Sequence, residues 1–243
     1  MAEITRLFSP SHLEVGDVLS LSKEEAHHVY KVLRAGAGDR VEVVDDARRL
    51  FVAELDGGRE ATLLEERPAA RSGEGDVTLY QVVPKGRHMD LVVEKATELG
   101  VSRIVPLFAD RGVVRLSEGD GKVQRWRRVA EAAARQSLQV CIPEVAEVVS
   151  FSDAVREVGE SGLLLHNGLD LRPLEDLVPG MMVGLFVGPE GGWSDRELEM
   201  AGELGLRFAS LGPYRLRSET AGMVAVARAC AVLERTTSAG RSR

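Results

Sequence analysis

The chain has 243 residues, of which 44% are apolar, 28% charged and 5% aromatic, and its net charge is −7. That balance excludes the disordered and fibrous classes and supplies enough apolar material for one large core or two small ones. No apolar run approaches the roughly 20 residues of a bilayer span, and the first ten residues lack the apolar block of a signal peptide. Cys141 and Cys230 form neither a CxxC motif nor a disulfide framework, so a reduced, cytoplasmic protein without a metal site is expected. The acidic balance argues against a protein held to nucleic acid by bulk charge alone, which leaves a local basic face as the alternative.

In chain order, residues 1–70 read as a β-rich module. Strands are predicted at 18–21, 40–45, 50–55 and 61–65, separated by turn signals such as Asp56-Gly57-Gly58. Ser22 and Glu25 stand at capping-box spacing and open an amphipathic helix that reaches Leu33, with one of His27 and His28 facing the core. Short strands around one helix suggest a small barrel. Residues 68–76 are polar and glycine-bearing and read as a linker to a second domain at 76–243. There the pattern predicts strands at 77–83, 104–107, 163–165 and 182–187, and helices at 89–99, 122–138, 195–203 and 219–235. Strands alternating with helices imply a mostly parallel sheet covered on both faces.

Three segments have the residue types that chemistry needs. Phe186-Val187 runs into Gly188-Pro189-Glu190-Gly191-Gly192-Trp193, and Ser194 with Glu197 forms a second capping box. Such glycines either let a ligand approach the backbone or make a tight strand-to-helix turn. The segment is neither GxGxxG nor a phosphate-binding P-loop, so a nicotinamide oxidoreductase lacks its fingerprint. Leu211-Gly212-Pro213-Tyr214-Arg215-Leu216 leads to Arg217, Ser218, Glu219 and Thr220 at a helix start, where backbone donors are free. Seven basic residues lie between 111 and 135 against Glu118, Asp120 and Glu131, and Arg125, Arg128 and Arg135 share a helix face opposite Trp126, Ala130 and Ala133. That face is either solvated or tracks phosphates. None of His12, His27, His28, His88 and His166 shows metal-ligand spacing, and a GxSxG nucleophile elbow is absent.

Together these motifs resemble a known family. Leu164-Leu165-His166, Val187-Gly188-Pro189-Glu190-Gly191-Gly192 and Leu211-Gly212-Pro213 followed by Leu216-Arg217-Ser218-Glu219-Thr220-Ala221 are similar to the three cofactor-loop motifs of RsmE-type methyltransferases of the SPOUT superfamily. The segments 25–34 and 84–100, and Arg125-Trp126 with Gln136-Ser137, resemble the same family in the same order, so the likeness covers nearly the whole chain. The resemblance implies a PUA-like RNA-binding β-barrel at 1–70 and a SPOUT-type trefoil-knotted α/β domain at 76–243, working as a homodimer. Elementary folding rules alone predict no knot.

The resemblance further implies S-adenosylmethionine-dependent methylation of uridine N3 in the 16S ribosomal RNA of the small subunit. The cofactor would be held by Leu165, His166, Val187, Gly188, Pro189, Glu190, Gly191, Gly192, Leu211, Gly212, Leu216, Arg217 and Thr220. Removing the N3 proton needs an acceptor, for which Glu190, Glu219 or a water serves, and the resulting anion needs a cation, for which Arg217 serves. Arg6, Lys85, Arg125, Arg128, Arg135 and Gln136 would contact RNA. Three departures stand out: Asn167 where the family carries Glu, Ser218 where it carries Thr, and Leu138-Gln139 where it often carries Gly-Arg. A non-catalytic RNA-binding or ribosome-assembly protein, and a SPOUT enzyme acting on another RNA site, are the competing readings.

Overall fold

The computed structural model describes residues 5–68, 76–114, 121–168, 170–178 and 180–241, with side chains as far as 236. Most of the expected linker, and Arg115, Glu118 and Asp120 of the basic stretch, lie outside these residues. The chain divides into two compact units, Met1–Arg71 with Ala134–Cys141, and Ser72–Ala133 with Ile142–Arg243. Residues 134–141, which the sequence reading assigns to the second domain, thus cluster with the first unit.

The first unit is a sheet of five strands: β1 (Arg6–Phe8), β2 (Val18–Ser20), β3 (Arg40–Val44), β4 (Leu50–Leu55) and β5 (Glu60–Arg67). Their order is β1-β3-β4-β5-β2, with β1 parallel to β3 and the other pairs antiparallel. Among the described residues β1 and β2 are edges that do not pair with each other, so the expected barrel is a half-barrel. Leu7, Leu21, Phe51, Leu55 and Leu63 fill its core, and each such buried side chain contributes about 1.5–3 kcal/mol. The helix α1 (Lys23–His27) starts from the anticipated capping box and widens into a π turn over His28–Val32. Val29 takes the buried position; His27 is exposed and His28 half-buried, so neither histidine faces the core as expected.

The second unit is a parallel sheet. Its strands are β6 (Asp76–Val82), β7 (Arg103–Phe108), β8 (Glu144–Val145), β9 (Val149–Ser150), β10 (Gly162–Leu165), β11 (Met182–Val187) and β12 (Arg207–Ala209). The order is β12-β10-β11-β6-β7-β8, and β9 also pairs with β7. Helices α2 (His88–Glu98), α3 (Lys122–Gln136), α4 (Phe151–Val158), α5 (Asp195–Glu203) and α6 (Ser218–Arg241) complete the α/β arrangement. Two apolar clusters lie on the two faces, one containing Leu79 and Leu185, the other Tyr80 and Phe186. This is why β11 reads as a continuous apolar run. The Tyr80 and Phe186 rings stack at 4.4 Å. Gly184 makes room beside them, because a Cβ there would stand 2.9 Å from Val158 and 3.2 Å from Tyr80.

After β12 the chain runs beside 172–174, where Ser210 N donates to the Arg172 carbonyl and Leu174 N to the Ser210 carbonyl. Helix α6 then packs against α2, β6, β11 and the 174–176 turn. β1, β8, β9, β12 and α4 have no counterpart in the sequence reading. The strands among them have only two or three residues, too few to show a period.

Candidate functional site

Strands β12, β10 and β11 are neighbours and parallel, so their carboxyl ends open side by side. In open α/β sheets ligands bind at that end. The three loops that follow them, near 166–171, 187–193 and 210–216, line one cleft of about 720 Å³. That falls within the roughly 300–1,000 Å³ of small-molecule sites.

The loop after β11 is built tightly. Gly192 takes φ of +72°, open to glycine without strain, and its N–H closes the turn on the Pro189 carbonyl at 2.9 Å. The Trp193 indole is buried and donates from Nε1 to the Leu165 carbonyl at 3.0 Å, tying the loop to the end of β10. Gly188 lies against that indole; a Cβ would sit 3.0 Å from the ring. The capping box of Ser194 and Glu197 forms, and the Glu197 carboxylate also accepts from Asp110 N at 2.8 Å. Two guanidinium groups hold the loop's carbonyls. Arg111 donates to Trp193 O at 2.9 Å and to Gly191 O at 3.3 Å, and Arg215 donates to Glu190 O at 2.8 Å. The Ser218 hydroxyl donates to Gly188 O at 2.6 Å. On the third loop, Gly212 takes φ of +121°, and Arg228 donates to Leu211 O at 2.8 Å.

Of the residues expected to hold a cofactor, Leu165, His166, Val187, Gly188, Pro189, Glu190, Gly191, Gly192, Leu211, Gly212 and Leu216 all line the cleft. Arg217 and Thr220 do not. The chain enters α6 at this point, and Ser218 and Ala221, three residues apart on one helix face, take the cleft side instead. Glu190 stands exposed in the lining. Arg217 is exposed, and Glu219 is buried with Oε1 at 3.6 Å from His88 Nδ1. Arg111, Trp193, Tyr214 and Arg215 also line the cleft, although sequence reasoning did not select them. Tyr214 is 81% exposed, and an aromatic in a glycine-bearing loop was the only signal it gave.

The expected RNA contacts separate by their partners. Arg6 is buried, paired with Glu42 and donating to the Leu138 carbonyl. It is a cross-link within the first unit, not a cation offered to solvent, because burial of an arginine requires that pairing. Leu138, standing where the family often has glycine, takes φ of +56° and so occupies a glycine-type conformation. Arg125 pairs with Asp90, Arg127 with Glu147 at 2.9 Å and Arg135 with Glu25 at 3.2 Å. The basic face of α3 is thereby largely neutralised. Lys85, Arg128 and Gln136 are exposed. Ser218 in place of the family's threonine keeps the hydroxyl that Gly188 uses, and Asn167 lines the cleft while exposed.

Among the described residues one group brings three potential metal-ligating side chains together, His12, Asp45 and Asp46 in the first unit. Arg49 already pairs with Asp45 there at 2.8 Å. No described helix is long and apolar enough to cross a membrane.

Comparison with known proteins defines the class. Residues 71–230 match the family described as an RNA methyltransferase domain, and residues 21–64 match the RNA methyltransferase PUA domain. The fold is therefore that of a SPOUT-type α/β methyltransferase domain joined to a PUA-like domain. A Legionella pneumophila protein solved with the cofactor SAM bound is 29% identical, with a TM-score of 0.85 over 96% of this chain and 98% of the other. The ribosomal RNA small subunit methyltransferase E of Neisseria gonorrhoeae, solved bound to S-adenosyl methionine, is 27% identical, with a TM-score of 0.83 over 93% and 96%. The protein of the same name from Synechocystis is 32% identical over 89% of this chain and 74% of its own length. That from Aquifex aeolicus is 30% identical over 85% and 91%. The chain belongs to the ribosomal RNA small subunit methyltransferase E family.

Proposed function

We propose that this protein transfers the methyl group of S-adenosylmethionine to N3 of a uridine in 16S ribosomal RNA, acting as a cytoplasmic homodimer on the small subunit. The observation that carries the reading is the cleft at the carboxyl ends of β10, β11 and β12, lined by eleven of the thirteen residues expected to hold the cofactor. The bound cofactor supplies an electrophilic methyl on sulfur. The chain supplies position and charge. Leu165, Val187, Leu211 and Leu216 offer apolar surface, and the backbone of Gly188, Gly191 and Gly212 offers close polar contact. Glu190, in the cleft lining, accepts the N3 proton. Arg217, exposed at the entrance to α6, stabilises the uracil anion, and Glu219, paired with His88, is the second candidate to accept the proton. With the cofactor bound, its sulfonium would supply the methyl that replaces the N3 proton, and Glu190 would take up that proton.

Lys85, Arg128 and Gln136 are the exposed members of the set proposed to contact RNA. We place the family's knot where α6 packs against the 174–176 turn and strands β6 and β11. With a net charge of −7, the protein prefers the folded ribosomal surface over free RNA. The test is methyl transfer from labelled S-adenosylmethionine to small subunits lacking their natural modifications, with the product nucleoside identified by mass spectrometry. N3-methyluridine in 16S RNA is expected. Label on another base, or equal rates on deproteinised RNA, would overturn the corresponding part.

A further inference from the structure

Gln81 is wholly buried on β6, a strand whose other buried residues, Val77, Leu79, Tyr80 and Val82, are apolar or aromatic. Burying a carboxamide is costly unless its hydrogen bonds are made. One side of it is satisfied in a directed way. Nε2 donates to the Val82 carbonyl at 3.1 Å and to Ser218 Oγ at 2.9 Å. A carbonyl only accepts, so the amide's orientation is fixed. Ser218 in turn sends its own proton to Gly188 O at 2.6 Å, so its lone pair is what Gln81 meets. The relay runs from β6 through the first turn of α6 to the first glycine of the cleft loop.

The other side of the carboxamide is not satisfied. Oε1 has no hydrogen-bond partner among the described residues. It faces Gly222 inside α6, where a Cβ would stand 2.4 Å from it. A helix-interior glycine is itself unfavourable relative to alanine. Stability alone would favour an apolar residue at 81 and alanine at 222, yet the chain keeps two unfavourable choices that fit each other. Neither residue lines the cleft.

We infer that Gln81 is a positioning residue for the cofactor cleft, acting through Ser218 to fix the Gly188 carbonyl and the start of α6. This rests on the reading of that cleft as an S-adenosylmethionine site. Gln81→Met, which keeps the length and removes the donor, is expected to leave the melting temperature unchanged or raised. It is also expected to weaken S-adenosylmethionine binding by about ten-fold in calorimetry, the equivalent of about 1.4 kcal/mol and of one buried hydrogen bond. KM for the cofactor rises while kcat at saturation holds. Ser218→Ala, which removes a hydroxyl of the cleft lining, also weakens cofactor binding, Ser218→Thr keeps it, and the Gln81→Met/Ser218→Ala double variant binds no more weakly than Ser218→Ala, because the two act in one chain of bonds. Gly222→Ala weakens binding too, although alanine favours the helix. In the protein without cofactor, Gln81→Met speeds amide exchange at Gly191 and Gly192. Wild-type affinity in Gln81→Met, additive effects in the double variant, or unchanged exchange in the loop would each overturn the role. If the wild-type protein binds no S-adenosylmethionine, the cofactor reading of the cleft falls, and the exchange experiment still decides whether Gln81 holds the loop.

Discussion

Replacing Trp193 with phenylalanine tests the wall of the cleft. The indole is 3% exposed, and Nε1 donates to the Leu165 carbonyl at 3.0 Å. Phenylalanine fills most of the space but has no donor, so that carbonyl loses its partner. An orphaned buried acceptor costs about 1–3 kcal/mol. The smaller ring also leaves roughly 40 Å³ empty, which at about 24 cal/mol per Å³ adds about 1 kcal/mol. Its contact with Phe151, now 4.8 Å between ring centres, is retained in part. The expected total is about 2–4 kcal/mol, a fall in melting temperature of about 4–16 °C for a chain of this size. Differential scanning calorimetry measures it, and titration with S-adenosylmethionine in the same samples should show weakened binding, because Leu165 and the 188–193 loop both line the cleft. A shift below about 2 °C with unchanged affinity would mean that the indole bond neither stabilises the loop nor shapes the site.

Arg217→Ala is expected to abolish methyl transfer while cofactor affinity is retained, since Arg217 lies outside the cleft lining; full activity in that variant removes Arg217 from the mechanism. Arg6→Met leaves Glu42 and the Leu138 carbonyl without their cation and should cost about 3 kcal/mol, read by circular dichroism in urea; a loss below about 1 kcal/mol would return Arg6 to the pool of RNA contacts. Burial, with the charge of Glu234 second, pushes the Cys230 thiol from 9.0 up to about 11. Its raised folded-state value means that its stabilisation is whole below pH 9.0 and lost as pH climbs through about 11. In a thiol-reagent assay at about pH 8, Cys230 should stay unreacted until urea unfolds the protein, and rapid reaction in the native state would contradict this.

Features that depend on near neighbours were legible in the order of residues. The capping boxes at Ser22 with Glu25 and at Ser194 with Glu197 formed as their three-residue spacing required. The strands Leu50–Leu55 and Met182–Val187 and the helix Asp195–Glu203 have the bounds that their apolar runs and turn residues predicted. The glycine-bearing loops also announced themselves, because close backbone approach needs residues without side chains.

Tertiary structure decided what those features meet. That β11 lies between β10 and β6, and β12 on the far side of β10, is what brings three loops, spread from His166 to Leu216, into one cleft. No local period encodes that order. Strand Arg6–Phe8 exists because it pairs with residues 42–44, and a three-residue run shows no pattern of its own. Charge misled for the same reason. Arg6, Arg125 and Arg135 look alike in the sequence, but each is paired with a carboxylate from a distant segment, Glu42, Asp90 and Glu25. Gln81 and Gly222 are unremarkable as letters 141 positions apart, and only packing sets the amide oxygen against the glycine. Local chemistry fixes which conformations a segment can take, whereas the chain's path fixes which donor meets which acceptor, and at this site function depends on the second.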